Sequence, residues 1–362
     1  KGDCPECSGP QHCDNFACID GTCSTLECAE PLTLCGGECN IGNGLCCNDQ
    51  WVIGECCIDA DCGGGLVCNS FTCQSPPPPM PCKVEQLEGH SREVFDVFAD
   101  DDYIYSASYD GTARVWDKQN LTHVTTLDGH LGMLFAIHAD SEYVVTGGED
   151  SVPRVWSRSD FSPVGNMTGH EGPVYSVFLD SEYILTGSRD TTVRIWLRAN
   201  RSHVTTLEAG SEVLEVVSQD DRIFASTSGG DVLAWNRSNF TLIEAVSTGG
   251  YDTYGLFVDS TNVIGGRDDG MCTVFDRDSL DIIEELGQSE LVGGIVADGQ
   301  YIYTASIDGK VWIYNRTSFE LVSTLMPSQY SWLKTLFVDE QRIYTASEDR
   351  TVGIWDRACA VA

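Results

Sequence analysis

Two groups of residues in this 362-residue chain have types and spacings that chemistry could use. The first is the thiols. Sixteen of the eighteen cysteines lie between Cys4 and Cys82, leaving Cys272 and Cys359 apart. Cys4-x2-Cys7 begins as a zinc motif does, but no second Cys-x2-Cys follows at ligand spacing. His12 is the only histidine near it. No metal and no cofactor is therefore expected, and the thiols read as a disulfide framework. It comprises Cys4, Cys7, Cys13, Cys18, Cys23, Cys28, Cys35, Cys39, Cys46, Cys47, Cys56, Cys57, Cys62, Cys68 and Cys73. The second group is the histidines and aspartates that recur along the rest of the chain. No Gly-rich phosphate loop and no Gly-x-Ser-x-Gly accompanies them. The chain is expected to be no enzyme, with no catalytic residue assigned.

The bulk composition narrows the classes further. With 55 acidic against 21 basic residues, the formal net charge is −34. Nothing here would neutralise phosphates, so nucleic acid and anionic membrane surfaces are excluded as partners. No run of 18 apolar residues exists, so no helix is expected to span a bilayer. The cysteine-dense segment holds few large apolar side chains beyond Phe16, Trp51 and Phe71, and must rely on crosslinks. Crosslinks need an oxidising compartment, and the first residue is Lys1 rather than Met. A mature secreted product, extracellular or at the cell surface, is the expectation.

The elements that must position the recurring residues show in an internal period. An aromatic returns every 39 to 41 residues, at Trp116, Trp156, Trp196, Trp235, Phe275, Tyr314 and Trp355. About sixteen residues before each stands an aspartate: Asp100, Asp140, Asp180, Asp220, Asp259, Asp298 and Asp339. Between them run short stretches rich in Val, Ile, Tyr and Thr, bounded by Asp, Gly and Ser turns, which read as strands. Each unit holds four, a to d. The period and pattern over residues 83–359 resemble WD40 repeats. Units 1 to 3 carry Gly89-His90, Gly129-His130 and Gly169-His170, then Ser106, Thr146 and Thr186, then Asp110, Asp150 and Asp190 before the Trp. The resemblance implies that these four side chains form one hydrogen-bonded network tying the b–c turn to the strands. Unit 4 has Ala225 and Gly229 in place of the hydroxyl and Asp, and units 5 to 7 lack the Gly-His pair. Looser turns are expected there. The fold expected is all-β, a seven-bladed WD40-type β-propeller (83–362) preceded by a disulfide-rich module (1–74) and a stiff Pro-rich linker (75–82).

Ring closure follows from the same resemblance. Blade 7 lacks a strand d, and Lys83–His90 (KVEQLEGH) matches the strand-d segment HVTTLDGH of blade 1. The family closes its ring with such an N-terminal strand. That brings Cys82 opposite Cys359, and a disulfide between them is expected, worth roughly 4–5 kcal/mol in the chain-entropy model. Fifteen cysteines then remain from Cys4 to Cys73, with Cys272 expected as a buried free thiol. One of the fifteen is either free or bridged to another subunit. Asn120, Asn166, Asn200, Asn236, Asn239 and Asn315 all lie in Asn-x-Ser/Thr sequons, and in the propeller only Asn262 does not. N-glycosylation is expected at the six.

Two functional readings result. The first is a secreted, glycosylated building block of an extracellular filament or surface coat, a homo-oligomer or polymer joined through the N-terminal module and a neighbouring propeller. The alternative is an extracellular recognition module that binds a protein, peptide or glycan on one propeller face. The b–c turns would supply the contacts, with Tyr109, Arg189 and nearby Arg92 as the candidate partner-binding residues, alongside Glu149, Asp268, Ile307 and Glu348. Nothing in the sequence stands out for the central channel.

Overall fold

The computed structural model describes residues 82–361, except 289 and 327–330, and seven short strands within the cysteine-rich segment. The chain divides into two compact units, 1–81 and 82–362. In the first, one hairpin sets Cys18 opposite Cys23 and another sets Cys68 opposite Cys73 in backbone register. The disulfides expected among Cys4 to Cys73, and the extended proline spacer, rest on side chains and segments outside the described residues.

The second unit is built from seven four-stranded antiparallel sheets. Blade 1 shows the pattern: Val94–Ala99, Tyr103–Ser108, Ala113–Asp117 and His123–Leu127 follow one another as strands a to d. Strand b carries the longest buried run in each blade, as in YIYSAS, because neighbouring blades cover both its faces. The strand-c aromatic fills the seam to the preceding blade. Trp116, for example, packs in one cluster with Tyr344 and Ile354 of blade 7. The a strands of successive blades touch all the way round, and that of blade 7 touches that of blade 1. They therefore line a central channel. The d–a loops and b–c turns open on one end of it, the a–b and c–d turns on the other.

Lys83–Leu87 supplies the missing strand of blade 7. It pairs antiparallel with Val352–Asp356, with Val352 opposite Leu87 and Trp355 opposite Lys83. The chain then enters a single helical turn, Arg357–Ala360, capped by Asp356, whose carboxylate accepts from the Cys359 amide. Cys359 is disulfide-bonded to Cys82 across the hairpin, with their Cα atoms 5.4 Å apart. Cys272 is a free, fully buried thiol in strand c of blade 5, and burial pushes its pKa up to about 12.

Candidate functional site

In blades 1 to 3 the His–Asp pairs are consumed by the turns. Nδ1–H of His90 donates to Asp110 at 2.9 Å, because a carboxylate can only accept. Nε2 then accepts from Ser106 at 2.8 Å, and the Trp116 indole donates to the same hydroxyl at 3.0 Å. His130–Asp150–Thr146–Trp156 and His170–Asp190–Thr186–Trp196 repeat the chain. Burial lowers the pKa of His130 and His170 despite the adjoining carboxylates, so both imidazoles stay neutral. The later blades repair the pattern differently. Gln288 stands in the histidine position of blade 6 and is hydrogen-bonded to Thr304. In blade 7 the Trp355 indole still donates to Thr345 at 3.1 Å. In blade 5 Arg267 joins Asp269 and Glu285. The looser turns expected for blades 5 and 6 are thus braced by other side chains.

The aspartate column also has a structural task. Asp100 Oδ1 accepts the amides of Asp102 and Tyr103, shaping its a–b turn, while Oδ2 takes Arg158 of the next blade at 2.8 Å. The same bridge crosses five more seams: Arg198 to Asp140, Arg237 to Asp180, Arg316 to Asp259, Arg357 to Asp298, and Lys118 back to Asp339. Blade 4 departs from it. Asp220 sits in a tight turn at φ 54°, and Asp221 takes the closer contact with Arg277, at 3.0 Å. Burial opposes ionisation of Asp100 and Asp180, but the guanidinium and the turn amides outweigh it, so both are held below the usual carboxylate range. The sequence carried this signal in each aromatic being followed two residues later by Lys or Arg.

Among the described residues, the channel mouth at the b–c end offers a concave, largely apolar site for a ligand. It is a vestibule of about 550 Å³, within the usual range for binding pockets. Its upper wall comes from a β-bulge that every strand a carries at its second position. In blade 1 Ser108 pairs with Val94 and Ala107 with Asp96, so Phe95 is left over. Phe135, Tyr175, Leu214, Tyr254, Gly293 and Lys334 are the equivalent extra residues. A bulge re-aims a side chain, and here seven of them direct one residue per blade to the mouth. All seven positions line the vestibule except that Gly293 presents only backbone.

Across blades 1 to 3 the wall is a continuous aromatic surface. Tyr109 stacks on Phe95 at 5.3 Å, Phe95 meets Phe135 edge-on at 5.5 Å, and Phe135 meets Tyr175 at 5.3 Å. Below it stand two carboxyls. Asp96 accepts from the amides of Val97 and Ile137, and Glu215 from the Ser176 hydroxyl at 2.6 Å. Burial raises Asp96 to about 7 and Glu215 to about 8. The channel was expected to hold nothing unusual, and these two acids correct that expectation. They occur once each among small residues at the same strand position (Ala136, Ser176, Gly255, Gly294, Thr335), so no repeat announces them.

Of the residues expected at a partner face, Tyr109 is part of the wall. Arg92 lies 5.7 Å over its ring and donates to its carbonyl, and Arg189 pairs with Glu212 at 3.2 Å. Ile307 also lines the vestibule. Among the sequon asparagines, Asn120, Asn166, Asn200 and Asn239 are exposed, and Asn236 and Asn315 half-buried. Asn120, Asn200 and Asn239 lie in c–d turns, on the end away from the vestibule. Among the described residues no cluster of metal-ligating side chains occurs and no helix is long and apolar enough to cross a membrane.

Residues 81–117, 121–157 and 161–196 match the family model for the WD domain, G-beta repeat. Among solved structures, the WD40 β-propeller domain of Doa1 superposes with a TM-score of 0.69 at 23% identity, covering 76% of this chain and 97% of that one. No curated protein sequence matches the chain. Residues 81–117, 121–157 and 161–196 thus match WD40 repeats, and the described residues of 82–361 fold as a seven-bladed WD40-type β-propeller.

Proposed function

We propose that this chain is a secreted, extracellular, non-enzymatic interaction protein that receives a partner in the vestibule. The observation that carries this reading is the bulge-built aromatic wall of Tyr109, Phe95, Phe135 and Tyr175. Large rigid aromatics grouped in a concave site favour binding, because they offer apolar contact area at low entropic cost. Supporting the non-catalytic part, His90, His130 and His170 have both ring nitrogens engaged in turn networks. Supporting secretion are the cysteine density and the six sequons, with glycans proposed at Asn120, Asn166, Asn200, Asn236, Asn239 and Asn315. A photo-crosslinking residue at Tyr109, compared with one at Asp160 in a c–d turn at the opposite end, tests the face. Native extracellular material should be captured at Tyr109 only. Capture at neither position, or at Asp160 alone, rejects the reading. Glycopeptide mapping of the native protein tests the compartment, and bare asparagine at all six positions would reject it.

A second reading, assembly into an extracellular filament or coat, is favoured by cysteine parity. With Cys82 bonded to Cys359 and Cys272 buried and free, fifteen cysteines remain in the N-terminal module. An odd number leaves one without a partner inside the module, and a bridge to a second copy satisfies it. Non-reducing electrophoresis should show covalent multimers that reduction collapses. A monomer with one titratable thiol in the module rejects this reading and leaves the first standing.

A further inference from the structure

We propose that the vestibule accepts a cationic side chain, an arginine or lysine carried on an extended segment of a partner polypeptide. The inference rests on the vestibule being the partner face and adds the charge of what enters it. Its walls combine two things a desolvated cation needs. The first is aromatic surface, whose negative ring faces attract ammonium and guanidinium groups. The site already holds its own cations this way: Lys334 lies 4.9 Å from the Trp332 ring and Arg92 5.7 Å from Tyr109.

The second is a set of acidic side chains. Asp96, Glu212, Glu215 and Asp252 line the vestibule, and among the described residues Lys334 is the one basic side chain beside them. Burial keeps Asp96 and Glu215 largely protonated at neutral pH, so they gain charge only when a cation enters next to them. Glu212 has Arg189, but that pair is at the exposed rim. Asp252 faces the carboxylate of Asp268 in its own blade, and no basic side chain pairs with either among the described residues. Burial, and then repulsion from Asp268 and Glu212, raises the Asp252 pKa. An anionic ligand would be repelled by Asp252 and Asp268. A neutral one would fill the aromatic wall and leave Asp252 without an ion partner, whereas a cation pairs with it and favours ionisation of Asp96 and Glu215 below.

The size agrees as well. About 550 Å³ admits one long side chain with the backbone that carries it, not a folded domain. The entering segment must therefore be extended or a chain end.

The test is calorimetric titration of the full chain with the peptide acetyl-Gly-Gly-Arg-Gly-Gly-amide and with its citrulline counterpart, which keeps the shape and loses the charge. The arginine peptide should bind at one site per chain, at least about tenfold more tightly than the citrulline peptide. The variants Asp252→Asn and Tyr109→Ala should each weaken it by about threefold to tenfold. The chain's overall charge of −34 would attract any basic peptide weakly, so Asp160→Asn, in an exposed c–d turn at the other end, is the control and should change nothing. Equal binding of the two peptides, no binding of either, or equal loss in Asp160→Asn overturns the proposal. If crosslinking at Tyr109 still captures a partner, only the cation proposal falls. If Tyr109 captures nothing, the partner face falls with it. Thermal unfolding of each variant separates a binding loss from misfolding.

Discussion

Removing the imidazole of His130 would take one hydrogen bond from Asp150, which keeps Arg154 and the Leu131 amide, and one from Thr146, which keeps the Trp156 indole. Such a deletion costs more than the two bonds, because it also leaves a cavity beside buried polar groups. His130→Ala should therefore lower stability by about 2–4 kcal/mol in urea unfolding, while the exposed His123→Ala changes little. The channel acids have the opposite character. Asp96 and Glu215 are raised in the folded state to about 7 and about 8, so the native protein binds protons that the unfolded chain releases. Their contribution is fully present below about pH 4 and is lost as pH rises through 7 to 8. Asp96→Asn should thus raise the melting temperature most at pH 8, less at pH 5 and not at about pH 3, and a gain that is equal at pH 3 and pH 8 would refute the assignment. The networks of blades 1 to 3 were legible in the sequence because four residue types return at fixed spacing. Asp96 and Glu215 were not, since each breaks its column only once and nothing local marks a residue as channel-facing.

At the level of the strand, one unpaired residue per blade decides what the molecule presents. The bulge at the head of each strand a leaves no trace in alternation, because VFDVFA and VYSVFL read equally well as straight strands. Strand count, order and the closing strand could be read from the chain; the vestibule could not, because it exists only where seven bulges converge. Glycine at Gly255, Gly293 and Gly294 serves the same convergence on the far side of the channel. A Cβ on Gly294 would stand 2.7 Å from the Thr335 Cα of blade 7, backbone that cannot swing away. Gly294→Ala should accordingly force blades 6 and 7 apart and cost about 1–3 kcal/mol, measured by thermal unfolding, although alanine is otherwise the milder residue in a strand. An unchanged melting temperature would show that the inner strands have slack that the close approach denies.

Taken as a ring, the propeller is held at seven seams by side chains and at one of them by chain topology as well. Six seams join blades that are continuous in sequence. The seventh blade is completed only by Lys83–Leu87, so unzipping that strand opens the circle. The Cys82–Cys359 bond lies beside it and closes a loop with a sequence separation of 277. Cys82→Ser with Cys359→Ser should lose on the order of 5 kcal/mol in the chain-entropy model and should fray blade 7 first, seen as faster hydrogen exchange in Val352–Asp356 than in blade 3. Uniform exchange across the blades would mean the seam needs no covalent help. The seam cations sharpen the surface as well: Lys118, Arg158, Arg198, Arg237, Arg277, Arg316 and Arg357 are spent between blades, leaving the outer charge still more negative. The clasp has a mechanical meaning too. Tension applied to the chain just before Cys82 and just after Cys359 passes from one to the other through two sulfur atoms. The seven sheets between them carry none of that load, so pulling on the two ends of the propeller would unravel no blade while the bond is intact.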